Sequence, residues 1–175
     1  MSDISLVPAT STELIASCIA IRKTVFVQDQ GYIHLDEDNR PEDAAALHFL
    51  LASSSQDPDA SARFMGTVRL AALPLPVSPT LNPDPNTKTY ILSRFALLPP
   101  FRRGGNGAKF LGLLEHWVLQ HTSQDELGSR VVAVELEAQE GSYGFYERLG
   151  YVRQSGEYVK DGKPHVRMRK ELVME

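Results

Sequence analysis

Residues 97–108 read Leu-Leu-Pro-Pro-Phe-Arg-Arg-Gly-Gly-Asn-Gly-Ala, the composition of an anion-binding corner. An apolar stretch stops at Pro99-Pro100, Arg102 and Arg103 follow, and Gly104, Gly105 and Gly107 lead into a segment with helical spacing. The first turn of a helix leaves N–H groups without intrahelical partners and carries the positive end of the helix dipole. Glycines there let the main chain approach an oxyanion, and two guanidinium groups beside them would add charged hydrogen bonds. The ligand these features suit is a phosphate or diphosphate. Two familiar phosphate loops are missing. There is no Gly-Lys-Ser/Thr, hence no P-loop, and no glycine fingerprint after the first strand with an acidic residue about 20 positions on.

The rest of the chain must position that corner. Its 175 residues fit one domain, expected to span 1–175 with loop excursions at 53–61 and 74–88. Apolar residues make up 42% and charged residues 23%, which argues against wholesale disorder. Eighteen basic against 22 acidic residues give a net charge of −4, so neither nucleic acid nor an anionic membrane is an expected partner. Cys18 is the single cysteine, which forbids an internal disulfide and is too few for a cysteine-based metal site. No basic and apolar leader is visible at residues 1–10, and no 18-residue apolar window occurs. A reducing, cytoplasmic setting is the expectation, with the nucleus left open.

Periodicity divides the chain into elements. Ile4–Val7 is a first strand, and Thr10-Ser-Thr-Glu13 has capping-box spacing before a helix running to about Val27. Residues 31–43 are polar and turn-like, with an acidic cluster at Asp36, Glu37 and Asp38. Strands are expected at His48–Ala52, Phe64–Leu73 and Tyr90–Leu98, with five prolines between Pro74 and Pro85 forming an extended connection. A long helix covers Gly104–His121, with Phe110, Leu111, Leu114, Trp117 and Val118 at helical spacing. Val131–Ala138 alternates: Val132, Val134, Leu136 and Ala138 on a packed face, Ala133, Glu135, Glu137 and Gln139 on the other. A short helix at Ser142–Leu149 ends at Gly150, and Tyr151–Val159 with His165–Leu172 closes as a hairpin around residues 160–163. Strands and helices intermingle, which predicts a mixed α/β domain.

Arg102-Arg-Gly-Gly-Asn-Gly107 resembles the Arg/Gln-x-x-Gly-x-Gly/Ala signature of the GNAT superfamily, the acyl-CoA-dependent N-acyltransferases. Arg94–Phe101 is similar to the strand that leads into that signature, and Ala138–Tyr151 to the family's second motif, ending in Phe-Tyr-x-x-x-Gly-Phe/Tyr. Residues 21–30, Leu35–Asp38 with His48, and Asp161–Met168 resemble the ElaA-like branch. These likenesses cover most of the chain outside residues 53–61 and 74–88. The resemblance implies a GNAT fold: a central, mostly antiparallel mixed sheet of about six to seven strands, splayed between the fourth and fifth, with flanking helices.

It also implies roles. The main chain of Arg103, Gly104, Gly105, Asn106, Gly107 and Ala108 would wrap the diphosphate of acetyl-CoA, with the Arg102 and Arg103 side chains beside it. Phe95, Ala96 and Leu97 would pair with the pantetheine arm as an added strand, and a main-chain N–H near Leu97 would polarise the thioester carbonyl. Gln139 stands where the family often has a polar cofactor contact, commonly Asn. Gly104 stands where a basic residue is frequent, so phosphate binding rests on the main chain. No metal is implied.

Acyl transfer also needs a neutral amine. At pH 7 deprotonating an alkylammonium costs about 4–5 kcal/mol, so a base or a water chain must assist. Asp29, Asp36, Glu37, Asp38, Glu135, Glu137 and His165 are candidates. Glu37 is preferred, because its loop caps the acceptor side in the resembled fold. His165 reads better as a packing residue, and Ile91 and Ser93 provide no base on the fourth strand. Tyr146 matches the family's proton donor to the departing thiolate; Phe145 and Leu149, four apart, would supply the core contact and leave Tyr146 off that face. The expected activity is N-acetyl transfer to a primary amine, small-molecule or peptide, by direct attack in a ternary complex. The alternative is a GNAT-fold protein that holds acyl-CoA as a sensor or scaffold. The sequence sets neither the acceptor nor the oligomeric state.

Overall fold

Ser11 opens the first helix. Its side chain accepts from the Leu14 N–H at 3.3 Å, and helix α1 runs Thr12–Arg22. The cap is therefore Ser11, one residue beyond the Thr10 that capping-box spacing suggests. These are features of a computed structural model in which the described residues are 4–32, 41–53, 64–72, 87–122 and 131–173. The acidic cluster at 36–38 and the proline-rich connection lie outside them, as does the 53–61 loop apart from Ser53. The chain divides into two units, residues 1–70 with 94–114, and residues 71–93 with 115–175.

In the first unit, β1 (Ile4–Pro8) runs antiparallel to β2 (Leu47–Ser53), and β2 antiparallel to β3 (Phe64–Ala72). The β2–β3 register shifts between Leu51 and Ala52. The expected single helix to Val27 changes pitch after Arg22: Lys23–Asp29 winds as a π-helix, and the Gln30 N–H reaches back five residues to the Val25 carbonyl at 3.1 Å. The wider turn lets the adjacent Val25 and Phe26 both be buried, in a cluster with Cys18, Ile21, Tyr32 and Leu50. The end of the stretch expected as turn, residues 41–43, forms with Ala44 one short helix, α2 (Pro41–Ala44).

A polar cluster sits beside this core. Arg22 is fully buried; its Nη2 donates to His48 Nδ1 at 2.7 Å, and its Nη1 lies 3.5 Å from Asp43 Oδ1. Arg69 Nη1 meets the same carboxylate oxygen at 2.9 Å. Because a guanidinium only donates, His48 Nδ1 accepts, and Nε2 carries the proton it gives to the Asp43 carbonyl at 3.0 Å. Burial, reinforced by Arg22, holds the imidazole below its usual range against the opposing pull of that carbonyl.

The second unit starts β4 (Thr87–Leu97), which extends three residues further back than Tyr90. It pairs in parallel with β5 (Val131–Gln139), from Thr87–Val131 to Leu92–Leu136. The expected packed face of β5 is buried at Val132, Val134, Leu136 and Ala138, and Ala133 is buried as well. β8 (Lys163–Val173) runs antiparallel to β5, and carries β6 (Val152–Arg153) and β7 (Tyr158–Lys160). The segment 151–159 is thus two short strands, which brings the count to eight among the described residues. The β7–β8 hairpin turns at Asp161-Gly162, both at positive φ. Helix α3 (Asn106–His121) buries Phe110, Leu111, Leu114 and Val118, and α4 (Tyr143–Arg148) leads to Gly150 at φ 89°. The architecture is mixed α/β as expected above, with a parallel pairing of β4 with β5. No described helix is long and apolar enough to cross a membrane.

The neutral His48 makes stability depend on pH. The unfolded chain binds a proton near pH 6.5 and the folded state resists it, so this contribution is complete above about 6.5 and is lost as pH falls toward the lower folded value. Urea unfolding between pH 7.5 and 5.5 is expected to show a falling midpoint. His48→Gln, which does not titrate, is expected to flatten that slope; an equal slope in the variant would assign it to other groups.

Candidate active site

The corner at residues 97–108 is built by its own hydrogen bonds. β4 ends at Leu97, and Pro99–Phe101 form one 3-10 turn. The Phe101 N–H donates to the Leu98 carbonyl at 2.9 Å and the Arg102 N–H to the Pro99 carbonyl at 3.2 Å. Arg103, Gly104 and Gly105 then take φ of 66°, 72° and 84°, three successive residues in the left-handed region. The first bond of α3 runs from the Lys109 N–H to the Gly105 carbonyl at 3.0 Å. A helix starting there leaves the N–H groups of Asn106, Gly107 and Ala108 without carbonyls four residues back inside it. The Asn106 side-chain amide donates to the Phe101 carbonyl at 3.1 Å, closing the turn across its base.

This corner fits a diphosphate. A Cβ at Gly104 or Gly105 would meet nothing within 4 Å, so the strained backbone borders open space rather than packing. Arg103 is exposed beside it. Arg102 points elsewhere: Nε donates to the Leu97 carbonyl at 2.9 Å and Nη2 pairs with Asp29 Oδ2 at 2.7 Å. The cation expected from Arg102 is therefore directed at the protein, and Arg103 carries the charge that faces away.

β4 approaches this corner through a second constraint. Its ladder with β5 ends at Leu92–Leu136, and two residues later Arg94 adopts φ 53°, a left-handed kink in a non-glycine residue. Beyond it Phe95 and Leu97 are half-buried and Ala96 is buried. The Phe95 ring lies 5.3 Å from that of Phe110 on α3. The Leu98 N–H donates to the Met65 carbonyl of β3 at 2.9 Å. Sequence reasoning missed Gly66, which makes this approach possible: a Cβ there would stand 2.5 Å from the Ala96 carbonyl oxygen and 2.6 Å from Leu97 Cδ2. The available signal was a lone glycine inside an apolar strand.

The carboxylates expected as bases fall into two groups. Asp36, Glu37 and Asp38 lie outside the described residues. Of the others, Asp29 pairs with Arg102 and Glu135 with Arg169, the latter at 2.8 Å. Glu137 accepts from the Tyr158 hydroxyl at 2.6 Å and from Lys160. Burial alone would raise the Glu137 carboxyl, but those two donors outweigh it and hold it below the usual carboxylate range. His165 is buried, bonded through Nδ1 to the Lys163 carbonyl at 2.8 Å and stacked on Tyr158, as a packing residue would be.

Tyr146 departs from the face assigned to it. It is the buried residue of α4, whereas Phe145 and Leu149 are half-buried. Its ring packs edge-on against Phe145 at 5.0 Å and Tyr151 at 5.7 Å. Burial pushes its hydroxyl well above the usual phenol range, so it stays protonated. Gln139, half-buried at the end of β5, accepts through its carbonyl from the Ser142 N–H and hydroxyl, each at 3.0 Å. Among the described residues, no group of three or more His, Cys, Asp or Glu is placed to hold a metal.

The acetyltransferase (GNAT) domain family matches residues 85–172, which contain both the corner and Tyr146. A Bacillus subtilis (strain 168) protein named as a candidate acetyltransferase is 30% identical over 93% of this chain and 92% of its own length. The chain belongs to the GNAT acetyltransferase family. Membership implies a CoA-derived co-substrate and an acceptor. Two solved structures share the GNAT fold over 97% of this chain and 99% of their own. A candidate N-acetyltransferase from Lactobacillus plantarum has a TM-score of 0.72 at 24% identity, and Escherichia coli ElaA a TM-score of 0.69 at 17%.

In this GNAT chain Gly66 sets how closely the end of β4 lies on β3. Gly66→Ala is expected to lower stability by roughly 1–3 kcal/mol, because the contacted atom is backbone and cannot rotate away. Chemical denaturation measures it; an unchanged midpoint would mean that β4 shifts at no cost.

Proposed function

We propose that this protein is an N-acetyltransferase that moves an acetyl group from acetyl-CoA to a primary amine by direct attack in a ternary complex. The observation that carries the reading is the left-handed run Arg103-Gly104-Gly105 opening α3, with bare main chain toward open space. The N–H groups of residues 106–108 and the helix dipole would bind the diphosphate, with Arg103 adding charge. Phe95–Leu97 would hold the pantetheine arm by strand-like pairing.

In the reaction the amine nitrogen forms a bond to the thioester carbonyl carbon and the carbon–sulfur bond breaks. The products are an amide and the free thiol of coenzyme A. A proton leaves the ammonium before or during attack, and one reaches the sulfur. Glu37 is the residue we assign to the first on the strength of the resemblance, in which its loop caps the acceptor side; Asp29, Glu135 and Glu137 are held in ion pairs. Tyr146 is assigned to the second. Its hydroxyl retains its proton and can give a hydrogen bond to the departing sulfur, while the burial that keeps it protonated also makes it a weaker acid than a free phenol.

A second reading, an acyl-CoA-binding sensor without transfer, is favoured by those same ion pairs, which leave each described carboxylate candidate already committed. A panel of primary amines with acetyl-CoA, read by free thiol, separates the two. Thiol release above hydrolysis for one amine class supports transfer; none for any amine, with coenzyme A still bound, supports the sensor.

Tyr146→Phe keeps the ring contacts and removes the hydroxyl. Turnover is expected to fall by roughly 10²-fold with donor affinity little changed; unchanged turnover would remove Tyr146 from the role. Gly105→Val places a β-branched residue at φ 84°. Calorimetry is expected to show acetyl-CoA binding weakened by at least about 10-fold, and wild-type affinity would contradict the main-chain cradle.

A further inference from the structure

The donor corner is fastened to a segment seventy residues earlier in the chain by one side chain, that of Arg102. The peptide joining Leu97 to Leu98 is held at both of its polar ends. Its oxygen accepts from Arg102 Nε at 2.9 Å, and its N–H donates to the Met65 carbonyl at 2.9 Å. The same guanidinium is held in turn by Asp29 at 2.7 Å. Asp29 is the last residue of the π-helical stretch Lys23–Asp29. A carboxylate at the negative end of a helix is unfavourably placed unless a cation answers it, and Arg102 is that cation.

We infer that Asp29 and Arg102 form a positioning pair: Asp29 holds the guanidinium where Nε meets the Leu97 oxygen, fixing the orientation of the 97–98 peptide and so the entry of the chain into the turn at 103–108. The inference rests on the reading of that turn as the donor site. It gives Arg102 a role distinct from phosphate contact and Asp29 a role distinct from proton abstraction. Each side chain of the pair is more than a third exposed, 38% for Arg102 and 39% for Asp29. An ion pair that open to water contributes little to global stability, so its loss is read in donor affinity and in local order.

The test uses the full chain with Asp29→Asn, Arg102→Lys and Arg102→Gln, titrated with coenzyme A, and with turnover measured on whichever amine is accepted. Asp29→Asn is expected to weaken coenzyme A binding roughly 5- to 20-fold with an unchanged melting temperature. Arg102→Lys is expected to act in the same direction, since an ammonium lacks the fork that serves two acceptors at once. Combining Asp29→Asn with Arg102→Gln is expected to add nothing to the larger single effect. Equal or tighter binding by Asp29→Asn would overturn the pair, showing instead that releasing Arg102 serves the anion. Turnover lost at unchanged donor affinity would also overturn it, assigning Asp29 to proton transfer. Amide exchange at Leu98, Phe101 and Arg102 in the ligand-free variants gives an independent readout. Faster exchange in Asp29→Asn supports the pair even if coenzyme A binds to no form of the chain, in which case the donor reading is what has failed. Unchanged exchange overturns the pair.

Discussion

Three successive residues in the left-handed region are the constraint on which the corner at residues 97–108 depends. Regular structure does not contain such a run; Gly104 and Gly105 adopt it freely, whereas Arg103 persists there only where its surroundings over-determine it. Here the bracing is visible on both sides. Upstream, the 97–98 peptide is gripped by Arg102 and Met65, and the Pro99–Phe101 turn closes through two main-chain bonds. Downstream, Gly105 caps α3 and Asn106 ties back to Phe101. The side chains of Arg102 and Asn106 are thus occupied in holding the shape of the corner, while Arg103 stays exposed beside the start of α3. Recognition of a diphosphate by main chain asks less of particular side chains than of backbone geometry.

The same economy governs the buried charges of the first unit. Arg22 has no access to water and cannot shed its proton. It is accommodated by donating to a neutral His48 and lying near Asp43, which Arg69 shares. Such a cluster ties α1, α2, β2 and β3 together by direction as well as by attraction, since each hydrogen bond accepts a narrow range of angles. It stands in the unit that carries the π-helical stretch and Asp29.

What could be read in advance follows the range of the forces involved. The corner was legible because its chemistry is local: Pro99-Pro100, two arginines and the glycines announce a stopped strand, a strained turn and a helix start within twelve residues. β5 was legible because the alternation over Val131–Ala138 largely survives folding, broken at Ala133, which is buried beside Val132 and Val134. The direction of the Arg102 side chain was not, because it is set by Asp29 and by a carbonyl presented only once β4 is formed. In the Arg22–Asp43–His48–Arg69 cluster both arginines lie more than twenty positions from the Asp43–His48 pair they bind, with no spacing rule to link them. The face of α4 was misjudged for a different reason. Helical spacing places Phe145 and Leu149 together, but six residues are too few for the helix to choose its own orientation, and packing against Tyr151 turned Tyr146 inward. The change of pitch after Arg22 left the i, i+4 pattern looking like one uninterrupted helix.

The inward turn of Tyr146 has a bearing on how acidity acts on this molecule. A phenol enclosed among aromatic rings keeps its hydrogen far into the alkaline range. Across ordinary buffers it behaves as a fixed donor, not as a titrating group. Any alkaline inflection in the behaviour of the folded chain would then report a different group.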